Sequence, residues 1–299
     1  MGWKTIVIGA DCVVSLTYNR MKITLGNDYQ NIPLNDIDTV IFSHDKVTMT
    51  IPLLSELIKN NINIVVCDSK NDPIGVFQAF NGHSLAFKQL KKQIDWKVTR
   101  KKKIWKKIIQ QKIISEYCLL EELALEPLIQ RQLKDYASTV QSDDISNREA
   151  ASARIYFNAL FGKDFKRDDL LPINFALNYG YKIIASYISK CITSRGLLTQ
   201  LGIHHIGEGN AFNLTYDFIE PFRVIIDRWV YENVSEIFLV SQKIELIKLL
   251  QSKLFVNGKW YRFTDAIENI IDSYIAFLNE TSDQILSVDY KSGIQYAEE

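Results

Sequence analysis

The apolar pattern of this chain changes period once, near residue 85, and the two periods demand different architecture on either side. Before that point short β-branched segments recur: KTIVIG, CVVSLTY, KITLG, DTVIFS, NINIVVCD and PIGVFQAF, separated by Asn, Asp and Gly. Such segments read as strands. GND at 26–28 predicts a turn between two of them, and NGHS at 81–84 is the last turn signal of the unit. TIPLLSELIKNN interrupts the strands: Thr50 stands at a capping position, Pro52 falls in a first turn, and the Leu and Ile spacing suits one short helix. After residue 85 the spacing becomes helical. Ile94, Val98, Trp105, Ile109 and Ile113 mark one apolar stripe with lysines on the other faces. RIYFNALFG, LPINFALNYGYKIIASYISKCI, PFRVIIDRWVYENV, SEIFLVSQKIELIKLLQSKL and FTDAIENIIDSYIAFLNE continue it. The exceptions are FVNGKWYRF, where Asn257-Gly258 predicts a hairpin, and a polar tail after Asp283. The expected fold is α+β: an N-terminal strand-rich, β-sandwich-like domain over 1–85, a basic linker over 86–100, and a larger all-helical domain over 101–299.

Charge narrows the function. The net charge is zero, yet Lys88 to Lys112 holds eleven Lys or Arg and a single Asp95, which is +10; the remainder, with 24 bases and 34 acids, is −10. Lysine-rich helix faces are usually solvated surface. At this density, with Trp96 and Trp105 interleaved, contact with a nucleic-acid backbone is the favoured reading. Cys12, Cys67, Cys118 and Cys191 form no CxxC pair, which suits reduced thiols and argues against a disulfide scaffold or a structural zinc site. The opening MGWKTIVIGADC lacks a signal-peptide pattern, and no run reaches the ~20 apolar residues of a membrane helix. The expectation is a cytoplasmic protein with no membrane partner. P-loop, GxSxG and GxGxxG patterns are lacking.

The candidate chemistry lies in two segments. In ISNREAASARIYF, Ser146 precedes Glu149 by three, so Glu149 reads either as a capping-box acid or as a site residue. In LGIHHIGEGNAFNLTYDFIEPFR, Asp217 suits an N-cap, Glu220 its N3 partner, and Pro221 the first turn. Ahead of them stand His204 and His205, whose adjacency points their rings in different directions. One imidazole with two or three carboxylates suits Mg²⁺ or Mn²⁺ better than zinc. On spacing alone both readings stay open.

Nearly the whole chain resembles the CRISPR-associated protein 1 family. The resemblance is carried by MGWKTIVIG, IPLNDIDTVIFSHDKVTMTIPLLSELIKNNINIVVCD, FNGH, NREAASARIYFNALFG, LPINFALNYGYKII and GIHHIGEGNAFNLTYDFIEPFR. It implies a metal-dependent DNA endonuclease and integrase that inserts short fragments into a CRISPR array in antiviral defence, with the helical domain catalytic. The family's metal ligands fall on Glu149, His205 and Glu220, with Mg²⁺ or Mn²⁺ as cofactor. Asp217 falls on a supporting acidic position, and His204 on one that is usually apolar. Ala150 replaces a common Gly. Lys97, Arg100, Lys101, Lys102, Lys103, Lys106, Lys107, Arg154 and Arg223 are the candidate DNA contacts. The implied partners are a double-stranded DNA fragment, CRISPR repeat DNA, a second copy of the chain through the β domains, and a dimer of CRISPR-associated protein 2 bridging two such dimers. Two alternatives share these residues: a non-catalytic DNA-binding scaffold, and a general metal-dependent DNA-repair nuclease.

Overall fold

The computed structural model describes residues 2–77, 79, 83–292 and 294–295; Asn81 and Gly82 of the expected 81–84 turn lie outside that set. The N-terminal part comprises β1 (Lys4–Ile8), β2 (Val13–Thr17), β3 (Arg20–Leu25), β4 (Asp28–Pro33), β5 (Ile37–Phe42), β6 (Thr48–Met49), α1 (Ile51–Lys59), β7 (Asn63–Cys67) and β8 (Pro73–Phe77). One sheet has the order β1-β5-β7-β8, parallel except for β8. The other has the order β4-β3-β2-β6, antiparallel except for β6. Their facing side chains, among them Ile8, Val14, Met21, Val40 and Ile64, form one buried cluster that Leu53 and Leu57 of α1 complete. The arrangement is sandwich-like. Thr50 is the N-cap residue of α1, but its hydroxyl makes no capping bond. β4 lacks the alternation that would announce a strand, and its first four residues are exposed; it is held by its ladder to β3 across the left-handed Gly26.

β5 is buried along its length because its sheet is covered on both faces. Val40 enters the β cluster, whereas Ile41 joins the core of the helical part. Lys190 ties the two parts together through the buried Asp38 at 2.7 Å, and Asn63 Nδ2 donates to Ser186 Oγ at 3.3 Å.

The helical part comprises α2 (Ala86–Ile94), α3 (Val98–Glu122), α4 (Pro127–Thr139), α5 (Arg148–Phe161), α6 (Pro172–Ser194), α7 (Asn213–Ile219), α8 (Arg223–Asn233), α9 (Val240–Lys248), β9 (Lys253–Val256), β10 (Lys259–Arg262), α10 (Phe263–Leu278) and β11 (Ile294–Gln295). Residues 86–100, read as a linker, are α2 and the first turn of α3. The expected apolar stripe is two stripes: Trp105, Ile109 and Ile113 are buried, but Ile94 and Val98 are exposed. The break between α2 and α3 resets the helical phase, and buried Trp96 pins it by donating Nε1–H to Asn279 Oδ1 at 2.9 Å. Both indoles of the basic segment are therefore in the interior and offer no face to solvent.

α6 is buried on nearly every side. At Gly180 an added Cβ would lie 2.5 Å from the Ile226 side chain, so glycine there permits the close approach of α8. β9 and β10 form the expected hairpin, with Asn257 and Gly258 both left-handed. The long pattern before it is α-helical only over α9. The segment after Asp283, read as a polar tail, returns to the body: Val288 pairs with Val256, β11 adds to β9, and Tyr290 is buried with its hydroxyl donating to the Pro221 carbonyl. The helical part is thus mostly, not wholly, helical. No helix among the described residues is long and apolar enough to cross a membrane.

Candidate active site

Three elements bring the acids and imidazole of the sequence motifs to one place. Glu149 lies in the first turn of α5. The capping box with Ser146 does not form: Asn147 holds the N-cap position in a left-handed conformation and makes no side-chain cap. Instead the chain turns through left-handed Asp143 and Asp144, which carries the Asp144 carboxylate over the helix end. It accepts the Arg148 and Glu149 amides at 2.9 Å each. The Glu149 side chain is thereby left for another partner.

Asp217 is likewise no N-cap. It lies inside α7, fully buried, and accepts the amides of Ile203, His204 and His205 at 2.6, 3.1 and 3.0 Å. A fourth contact, at 2.7 Å, is with His205 Nδ1. A helix cap satisfies the amides of its own helix; this carboxylate instead folds a remote loop onto itself. Gly202 makes that possible, since a Cβ there would stand 2.7 Å from Asp217 Oδ2 and 2.2 Å from the His205 carbonyl oxygen. With Nδ1 engaged, His205 keeps Nε2 for a ligand, the usual arrangement of a carboxylate-oriented metal-binding histidine. The Asp217 hydrogen bond, opposed by burial, raises the His205 pKa above the ordinary imidazole value. His204 takes the other direction: its ring stacks on Trp105 at 4.2 Å and 7°.

Glu220 stands in a single 3₁₀ turn between α7 and α8, where Pro221 has no amide to contribute. Its Oε1 accepts from Arg223 Nε at 3.0 Å and lies 2.9 Å from Arg223 Nη2. Its Oε2 lies 2.7 Å from Lys112 Nζ, and the same ammonium donates to Glu149 Oε1 at 2.8 Å. The Oε2 contact is close in distance but lacks hydrogen-bond direction, so that buried oxygen makes no hydrogen bond. Burial disfavours charge on all these groups, yet Arg223 and Lys112 hold the Glu220 carboxyl below its usual range. Glu220 and Glu149 hold the Lys112 ammonium above its own.

These residues line a cavity of about 220 Å³ together with Glu116, Arg167, Tyr181 and Asp227. Asp227 accepts from Tyr156 at 3.0 Å and from Tyr181. Burial raises its pKa to about 6 against the pull of both hydroxyls, and burial pushes the Glu116 carboxyl to about 8. Glu116 Oε2 has no hydrogen-bond partner.

Of the expected DNA contacts, Arg223 reaches the cavity and Arg154 does not; it is exposed on α5. Lys97 pairs with Glu280 at 2.9 Å, Arg100 with Asp283 at 2.5 Å and Lys102 with Asp143 at 3.0 Å. Lys101, Lys103, Lys106 and Lys107 have no acidic partner among the described residues, and Lys103 and Lys107 are exposed. Sequence reasoning missed Lys112, Glu116, Asp144, Arg167, Tyr156, Tyr181 and Asp227. A signal existed for two of them: Lys112 and Glu116 share the helical spacing of the buried Ile109 and Ile113.

The donor set suits a hard divalent ion: two carboxylates already holding one cation, a carboxylate oxygen without a hydrogen bond, and an imidazole oriented through Nδ1. As arranged here the three do not converge, and among the described residues no group of three or more His, Cys, Asp or Glu is close enough to hold an ion. The group between the acids is Lys112.

The fold is shared with a casposase bound to integration product, with a TM-score of 0.75 and 20% identity over 98% of this chain and 94% of that one. It is also shared with a chain of a Cas6-RT-Cas1–Cas2 complex, with a TM-score of 0.72 and 15% identity over 96% of this chain and 36% of that longer one. The class is a two-part architecture of strand-rich lobe and mostly helical domain. Residues 5–243 match the family CRISPR associated protein Cas1, and the chain belongs to that family. The CRISPR-associated endonuclease Cas1 of Neisseria meningitidis serogroup C is 32% identical over 281 residues, 92% of each chain.

Proposed function

We propose that this protein is a metal-dependent DNA endonuclease and integrase that joins short DNA fragments to CRISPR repeat DNA. The observation that carries the reading is that Glu149, His205 and Glu220, from three separate elements, line one cavity beside Arg223. In the joining step the 3′-oxygen of the fragment forms a bond to a repeat phosphorus. The bond to the target's own 3′-oxygen breaks, and the proton lost by the attacking hydroxyl is balanced by the one gained by the leaving oxygen. One phosphodiester replaces another, so no nucleotide triphosphate is consumed. Glu149, His205 and Glu220 would hold Mg²⁺ or Mn²⁺, which when bound supplies Lewis-acid polarisation of the phosphate.

The chain's own groups do the rest. Asp217 fixes the His205 ring, Arg223 offers N–H donors and positive charge at the cavity, and Tyr156 and Tyr181 donate to the Asp227 carboxylate in its wall. Lys103 and Lys107, exposed on the helix that enters the cavity, contact the DNA backbone without reading sequence. The casposase held on its product supports the joining reaction, and the Cas1–Cas2 complex supports a partner of the second kind. Self-association through the β lobe belongs to the same reading.

Strand transfer on a branched DNA that mimics the half-integrated product, with Mn²⁺ and no partner protein, tests the reading. Wild type and His204→Ala should reseal the branch, and His205→Ala, shown by melting to be folded, should not. Free ends in place of joined strands would favour the repair nuclease. Binding without any chemistry in all three would favour the scaffold.

A further inference from the structure

An ammonium has three N–H donors, and among the described residues Lys112 is in ion-pair contact with two carboxylates. Its side chain is 11% exposed and stands between Glu149 and Glu220, acids from different elements. Only the Glu149 contact has hydrogen-bond direction, while Glu220 Oε2 is held by charge alone. Arg223 already satisfies the opposite oxygen of Glu220. Lys112 is therefore the group that stands between the two acids, 2.8 Å from Glu149 Oε1 and 2.7 Å from Glu220 Oε2. A divalent ion bound by the same two carboxylates and an ammonium within a few ångströms of both repel strongly in a water-poor cavity, so the two cannot share the position. Lysine has the means to leave: a four-carbon stem, and beside it a cavity of about 220 Å³.

We propose, resting on the metal-site reading above, that Lys112 is a resident counter-cation that couples metal loading to DNA. Without DNA the ammonium neutralises Glu149 and Glu220 and competes with the ion. A phosphate entering the cavity offers the ammonium another anion, Lys112 turns to it, and the acid pair is released to the metal. Linkage makes the effect reciprocal: whatever DNA adds to metal affinity, metal adds to DNA affinity.

Mn²⁺ binding to the full chain, read from the paramagnetic resonance signal of the free ion with and without the branched DNA, tests this directly. In wild type, DNA should tighten Mn²⁺ binding by about tenfold or more. In Lys112→Gln, Mn²⁺ alone should bind about tenfold tighter than in wild type, and the further gain from DNA should shrink. Lys112→Arg keeps the charge and should behave as wild type. Lys112→Gln binding Mn²⁺ no tighter than wild type would overturn the proposal, as would Lys112→Arg binding it as tightly as the Gln variant. Should Lys112→Gln fail to fold, the wild-type coupling still decides: branched DNA that leaves Mn²⁺ affinity unchanged overturns the proposal. Glu149→Gln and His205→Ala run beside them separate the two ideas. If both bind Mn²⁺ as wild type does, the metal-site reading itself fails. If they lose binding while Lys112→Gln is unchanged, the role of Lys112 alone is lost.

Discussion

Glu220 and Glu116, on two sides of the cavity, are equally buried and opposite in charge state. On one, Glu220, Glu149, Lys112 and Arg223 form a chain of ion pairs, and the opposed charges keep the Glu220 carboxyl ionised despite burial. On the other, Glu116 has no cation in contact and one oxygen without a partner, so burial pushes its carboxyl to about 8. Asp227 lies between these extremes, at about 6, because two tyrosine hydroxyls partly replace water. Pairing, not depth, decides which carboxylates in this cavity carry charge.

Removing a partner from the paired side should have the largest effect. Glu220→Ala strands Arg223, leaves Lys112 with Glu149 alone, and is expected to cost about 3–5 kcal/mol in urea unfolding. A loss below about 1 kcal/mol would mean that the pairs relax to solvent when broken.

The unpaired side predicts a gain. An acid whose folded pKa is raised keeps its proton in the native state after the unfolded chain has lost its own. Stability therefore falls as pH climbs from the ordinary carboxyl value toward about 8. Glu116→Gln removes that burden while keeping the shape. It should be more stable than wild type by a few kcal/mol at pH 9 and equal to it near pH 4. Equal stability at both pH values would show that Glu116 is charged and solvated in the folded protein.

The smallest effect on stability belongs outside the cavity. Lys103→Ala with Lys107→Ala should change stability by less than about 0.5 kcal/mol, since neither lysine is buried or paired. The salt dependence of DNA binding should nevertheless lose about one unit of slope for each lysine removed. An unchanged slope would move the backbone contacts elsewhere, Arg154 being the first alternative.

What was legible in the sequence followed from periodicity and local turn chemistry. β1, β2, β3, β5, β7 and β8, the α6 and α10 patterns and the Asn257-Gly258 hairpin all declare themselves within a few residues. β4 did not, because its pairing with β3 rather than its own alternation makes it a strand. The α2–α3 break was hidden because apolar residues on either side kept helical spacing while the chain between them turned. The motif residues stood out, but their local reading misled: Ser146 and Asp217 are good capping residues by type, and neither caps a helix here.

By itself, then, the sequence determined the period of each element, the order of the two parts and the identity of the acids and histidines near the site. Tertiary structure alone decided which charges meet. Lys112 reads as one more lysine on a solvated helix, and it is buried against an acid 37 positions away. Asp217 reads as a cap and instead holds the loop of His205 from 12 positions on. Backbone preference acts over a turn or two of chain, whereas Coulomb attraction acts through space, and only the folded chain sets the distances it depends on.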